Sequence, residues 1–133
     1  MGYHRYVPGN PDVRFEFDND HEAPRRARQA LASIFTGLDD PIADAVTLAA
    51  SELVTNVVRH TNSPGVMRVW DPKPDRPLRL EVEDYDPAIP AIATQPRDGG
   101  RGLSLVGEVS DSWGIDPTTD GKLVWAEFNR PAG

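Results

Sequence analysis

Between Asp40 and His60 the apolar residues Ile42, Val46, Ala49, Leu53 and Val57 recur at helical spacing. Val54 and Val58 stand beside them, so little of this helix is left to face water. Pro41 follows Asp40 at a position that tolerates proline, and Asn62, Ser63, Pro64 and Gly65 break the pattern at the far end. Two polar residues interrupt the apolar run. Glu52 and Asn56 are four apart and project from one helical face; His60 extends the line by another turn. A carboxylate among apolar neighbours is costly unless something compensates it, and a hard cation with phosphate oxygens could do so. The helix is therefore a candidate wall of a nucleotide site. His60 alone reads more simply as a helix-end residue that favours the C-terminal dipole.

The flanking pattern supplies the other elements. Residues 13–17 alternate apolar and charged, as a half-exposed strand does. Asn19 or Asp20 could cap a first helix over roughly 22–36, with Ala27, Ala30, Leu31, Ile34 and Phe35 as its stripe and Gly37 as its stop. Segments 66–70 and 78–83 read as an antiparallel hairpin joined by the proline-rich turn 71–77, and Leu78, Leu80 and Val82 alternate there with Arg79, Glu81 and Glu83. Residues 87–100 lack periodicity and form a loop long enough to suspect a functional lid. A short helix over 103–109 and strands at 113–115 and 123–128 complete the series, with Trp70, Trp113 and Trp125 as core or sheet-face aromatics. After an irregular segment 1–12, this order predicts one α+β domain over 13–133. It is a two-layer sandwich with helices on one face of a mixed, mostly antiparallel sheet.

Composition excludes several function classes. A length of 133 residues suits a single domain with its own core. No run approaches a membrane span, and the N-terminus lacks the apolar stretch of a signal peptide. The absence of cysteine removes disulfides, thiolate metal sites and cysteine nucleophiles. The expected location is the cytoplasm. A net charge of -7 disfavours nucleic acid as a partner. Arg25, Arg26 and Arg28 read as a solvated helix face before a binding patch.

Two further segments join the Glu52/Asn56 helix in carrying chemistry. Asp84 follows a strand directly, in Glu83-Asp84-Tyr85-Asp86-Pro87, and alone would be a strand-end turn former. Gly99-Gly100-Arg101-Gly102-Leu103 runs straight into a helix, where glycines let backbone amides approach an anion and the helix N-terminus favours it. That cluster is neither a dinucleotide fingerprint nor a P-loop.

In this order and spacing, the Glu52/Asn56 helix, the Asp84 segment and the glycine cluster together resemble the Bergerat-fold (histidine-kinase-like ATPase) superfamily. Jointly specific to it are Glu-Leu-x-x-Asn with Arg59-His60, the Gly-Arg-Gly-Leu-x-Leu-Val run, Ser112-Trp113-Gly114 and Gly121-Lys122-x-Val124-Trp125. Within it the chain looks most like the anti-sigma-factor serine/threonine kinases, over about residues 13–129. The resemblance implies that Asn56 ligates Mg²⁺ bridging the ATP phosphates, and that Glu52 is the general base for a protein hydroxyl. It implies that Asp84 accepts a hydrogen bond from the adenine amino group, that Gly100, Arg101, Gly102 and Leu103 lie against the nucleotide, and that 87–100 is the ATP lid. The implied partners are a sigma factor and a STAS-domain anti-anti-sigma factor that is phosphorylated on serine or threonine. A homodimer could form through an edge strand at 13–17. Two departures stand out: Asp86 takes the place of the family's glycine, and Leu123 stands where a threonine often supports the adenine-binding aspartate. They motivate the alternative, a non-catalytic module of the same fold that acts by sequestering its partner with weak or no ATP binding.

Overall fold

The computed structural model describes residues 9–35, 40–71, 76–88 and 101–129, with Arg101 and Gly102 described in their backbone alone. The elements in chain order are β1 (Val13–Phe17), α1 (Ala23–Leu31), α2 (Ala43–His60), β2 (Gly65–Trp70), β3 (Leu78–Asp84), α3 (Arg101–Val109), β4 (Ser112–Pro117) and β5 (Lys122–Phe128). The strands lie in the order β1-β2-β3-β5-β4, and every neighbouring pair is antiparallel. The expected α+β sandwich is borne out, with no parallel pair among the described strands.

Side chains alternate across a strand, and one face of this sheet carries Met67, Val69, Leu78, Leu80, Val82, Val124, Ala126 and Phe128 into a single core. The helices cover that face. Central among them is α2, which touches α1 and α3 on its flanks and β2, β3 and β5 beneath. Its residues Val46, Ala49, Ala50, Leu53, Val54 and Val57 are all buried, while Asp44, Leu48 and Arg59 form a narrow exposed stripe that the neighbours leave open. Asp40 starts it by accepting the Ile42 N–H on Oδ1 at 3.1 Å. Among the described residues no helix is long and apolar enough to cross a membrane.

The first helix is shorter than its stripe suggests. It ends at Leu31, because Ser33 N–H and Ile34 N–H turn to the carbonyls of Ala30 and Leu31, three residues back. The Ser33 hydroxyl donates to the same Ala30 carbonyl at 2.9 Å. Gly37 and the turn residues 72–75 lie outside the described residues. Arg25 pairs with Glu22, and that hydrogen bond, then Arg25's charge, holds the exposed Glu22 carboxyl below its ordinary value. Arg28 donates to Ser51 Oγ at 3.0 Å. Both fit the helix-face reading of this basic cluster.

Asn19 does not cap α1. Its Nδ2 donates across the fold to the Ser63, Thr61 and Val57 carbonyls at 2.9, 3.1 and 3.2 Å, tying the last turn of α2 and the segment that follows it to the end of β1. Asp20 instead accepts the Glu22 N–H at 2.9 Å and turns the chain into α1 without capping it. Asn19→Ala is expected to cost about 1–2 kcal/mol. Denaturant unfolding would measure this, and a loss below about 0.3 kcal/mol would remove the clamp.

The opposite face of the sheet is not simply solvated. Arg79 and Glu81 on β3 are 4% and 2% exposed. Arg79 donates to Glu81 at 2.8 Å and to Glu127 at 2.7 Å, with its guanidinium 4.8 Å from the centre of the Trp125 ring. Arg68 adds a contact to Glu83 at 2.9 Å. Cross-strand pairing and a cation–π contact thus let charged residues lie buried on a strand whose other face is core.

Candidate functional site

The hairpin and the last strand set the site's floor. In the sheet register Asp84, the last residue of β3, stands opposite Lys122, the first of β5. That close approach needs Gly121. A Cβ there would lie 2.0 Å from the Asp84 carbonyl oxygen and 2.6 Å from Tyr85 Cα. Thr118 holds the turn before it, accepting the Gly121 N–H on Oγ1 at 2.9 Å.

Above this floor α2 contributes Leu53, Asn56 and His60, and α3 contributes Leu103. These enclose with Asp84 and Lys122 a cavity of about 70 Å³. Its apolar wall comes from Leu53 and Leu103, each 2% exposed. A larger cleft of about 470 Å³ opens elsewhere, beside Phe15, Phe17, Asp18 and Arg26 at the β1 edge. It contains none of the residues singled out for chemistry, so the smaller cavity is the candidate site.

The polar groups of the cavity are few. Asp84 Oδ1 accepts from Lys122 Nζ at 3.1 Å and from the Asp86 N–H at 2.9 Å. Lys122 Nζ also donates to the Asp86 carbonyl at 2.8 Å. Asp84 and Lys122 are 2% and 3% exposed, an ion pair largely withdrawn from water. Asn56 differs from both. Its Nδ2 is buried and meets no hydrogen-bond partner, although buried amides are ordinarily satisfied. The two ends of an amide exchange by a half-turn of the terminal torsion, so the group can offer the cavity a donor or an acceptor. An oxygen here suits a hard cation that keeps water and phosphate as its other ligands, as Mg²⁺ does.

Asn56, Asp84 and Leu103, three residues far apart in sequence, are thus brought together. Glu52 is half-buried one turn before Asn56 and does not line the cavity. Arg101 and Gly102 form the start of α3. Gly100, and the expected lid beyond Ala88, lie outside the described residues. Leu123 is not where the sequence reading placed it. It pairs with Glu83, so its side chain lies on the sheet face away from the cavity. The β5 residue that supports Asp84 is Lys122. Asp86, which takes the place of the family's glycine, is not in the cavity lining; its Oδ1 accepts the Ala88 N–H at 3.0 Å.

Lys122 is the residue that sequence reasoning missed, although it lies inside a quoted motif. The available signal was parity: Lys122 shares a face with Val124, Ala126 and Phe128, and a lysine in register with core residues calls for a buried partner.

This fold, with Asn56 on its central helix and Asp84 at the end of β3, is that of a histidine kinase-like ATPase domain. The model of that family matches residues 17–128, and the chain belongs to it. No curated protein matches the chain significantly. Among solved structures, the chain is similar to the RsbU and RsbW domains of Rv1364c from Mycobacterium tuberculosis, with a TM-score of 0.63 and 20% identity. The match covers 95% of this chain and 34% of that one, so the chain spans about a third of its neighbour's length. At that identity the likeness concerns the fold.

Proposed function

We propose that the chain is an ATP- and Mg²⁺-binding regulator of the anti-sigma type. It phosphorylates a serine or threonine of a STAS-domain anti-anti-sigma factor and sequesters a sigma factor. The observation that carries this reading is the convergence of Asn56, Asp84 and Leu103 on one cavity. Support also comes from the RsbW domain named for the structural neighbour. The described cavity has room for a few waters and is the inner, base-holding end of the site.

Asp84 accepts the amino group of the base through Oδ2, since both of its described hydrogen bonds fall on Oδ1. Asn56 would hold the metal through its amide oxygen, and the start of α3 at Arg101 and Gly102 would face the phosphates. Bound Mg²⁺ supplies neutralisation of phosphate charge. Glu52 takes the proton of the attacking hydroxyl. The oxygen of that serine or threonine hydroxyl bonds to the γ-phosphorus as the bond to the β,γ-bridging oxygen breaks, and ADP leaves. With β1 at one edge of the sheet, a second copy can add its own strand across a two-fold axis.

The rival reading keeps the fold and the sequestration without the transfer. The ion pair between Asp84 and Lys122 favours it, because one carboxylate oxygen is already engaged inside the cavity.

Incubation with Mg-ATP and a STAS partner is expected to yield phosphoserine or phosphothreonine. Glu52→Gln is expected to slow transfer by about a hundredfold or more, with Mg-ATP affinity held within about threefold. Nucleotide bound tightly but never transferred would leave the sequestering module. Transfer undiminished in Glu52→Gln would remove Glu52 as the base.

A further inference from the structure

We infer that Lys122 is a second base-reading residue: beside the acceptor Asp84 it supplies a donor, so the cavity takes a 6-oxo purine nucleotide as well as an adenine nucleotide. The inference rests on the reading of this cavity as the base end of a nucleotide site. It adds a specificity that Asp84 alone does not have.

A lone carboxylate accepts hydrogen bonds and cannot give them. Facing a purine, it suits the amino group at C6 of adenine and opposes the oxygen at C6 of guanine or hypoxanthine, acceptor against acceptor. Here the carboxylate is not alone. Lys122 Nζ stands 3.1 Å from Asp84 Oδ1, and both residues line the same cavity. An ammonium carries three N–H groups; two are directed at Asp84 Oδ1 and the Asp86 carbonyl. One remains for a ligand.

The pair therefore presents a donor and an acceptor side by side, as the edge of a purine does. With adenine, the acceptor Asp84 suffices for the 6-amino group, and Lys122 keeps to Asp84 and the Asp86 carbonyl. With a 6-oxo purine the roles shift by one atom: Lys122 donates to O6 and Asp84 accepts from N1–H. The side chains of Lys122 and Asp84 are 4% and 3% exposed, so little water competes and each bond carries the strength of a charge-assisted one. The same cavity is also lined by Asn56, whose buried Nδ2 has no protein partner, a separate sign that it is built for a ligand. A lysine serving merely as counter-ion to Asp84 would leave the choice of base to the carboxylate.

The test compares Mg-ATP with Mg-ITP, whose base has the 6-oxo group without the 2-amino group of guanine. Calorimetric titration of the wild type is expected to give affinities within about tenfold of each other. Lys122→Thr replaces the ammonium by a short hydroxyl. It is expected to widen the preference for ATP over ITP by about tenfold to a hundredfold, the range for losing one hydrogen bond to a charged group. Three results overturn the inference. ATP bound with ITP rejected more than a hundredfold by the wild type removes the second reader and leaves the nucleotide site standing. A folded Lys122→Thr with an unchanged ATP/ITP ratio makes Lys122 a counter-ion. Neither nucleotide bound by the wild type removes the site itself, and this inference with it. The wild-type ratio decides the matter even where the variant does not fold.

Discussion

Gly121→Ala is expected to cost about 3 kcal/mol or more and to lower Tm by roughly 10 °C or more, with nucleotide affinity lost along with stability. The added Cβ would stand 2.0 Å from the Asp84 carbonyl oxygen, 2.6 Å from Tyr85 Cα and 2.8 Å from the Asp84 carbonyl carbon. All three obstacles are backbone, so no rotamer change relieves them. The start of β5 must instead draw away from the end of β3, and that seam holds Asp84 against Lys122. One methyl group therefore acts on the fold and on the site together. Gly107→Ala provides the comparison. Its Cβ would meet Trp113 Nε1 at 2.9 Å, a side-chain atom on a half-buried ring that can shift, so its cost is expected to be the smaller of the two. Thermal unfolding of both variants measures the contrast. A Gly121→Ala protein melting within about 2 °C of the wild type would mean that the seam yields easily.

The sequence made the elements legible where their burial is local, and obscured them where it depends on distant partners. The period of Ile42, Val46, Ala49, Leu53 and Val57 marks α2 because helix and core share one repeat. β1 was legible to the residue, Val13–Phe17, for the corresponding reason in strands. Arg79 and Glu81 look like the wet side of a strand, and they are buried because Glu127 and Trp125 arrive from β5, more than forty residues on. Asn19 looks like a cap for the helix that follows it. Its acceptors lie in the last turn of α2 and just beyond it, 38 to 44 residues away in sequence. In the site, Asn56 and Asp84 are recognisable from motif spacing, whereas Lys122 is not. Placing the aspartate's support at Leu123 missed by a single residue, and in a strand one residue is the difference between the two faces of the sheet.

Asn56→Ala is expected to lower Mg-ATP affinity by about a hundredfold or more while leaving the fold's stability within about 1 kcal/mol of the wild type. The two effects have one cause. Nδ2 is buried without a protein partner, so the fold gains no hydrogen bond from it to offset its desolvation. Removing it deletes that cost along with some packing beside Leu53 and Val57, and the two changes offset each other. Toward a nucleotide the balance differs, because the amide oxygen is what α2 offers to a phosphate-bound cation. A residue that is costly in the empty protein and needed in the loaded one is expected of a binding site placed within a core. The ordinary alternative is a core polar residue held for the fold. It predicts the reverse pattern: stability lost by about 2 kcal/mol or more and nucleotide affinity untouched. Thermal melts with and without Mg-ATP separate the two on one sample, since a ligand that binds only the folded state raises Tm in proportion to its affinity. The wild type should show that rise and Asn56→Ala should not. Equal rises in both proteins would place the cation elsewhere than on Asn56.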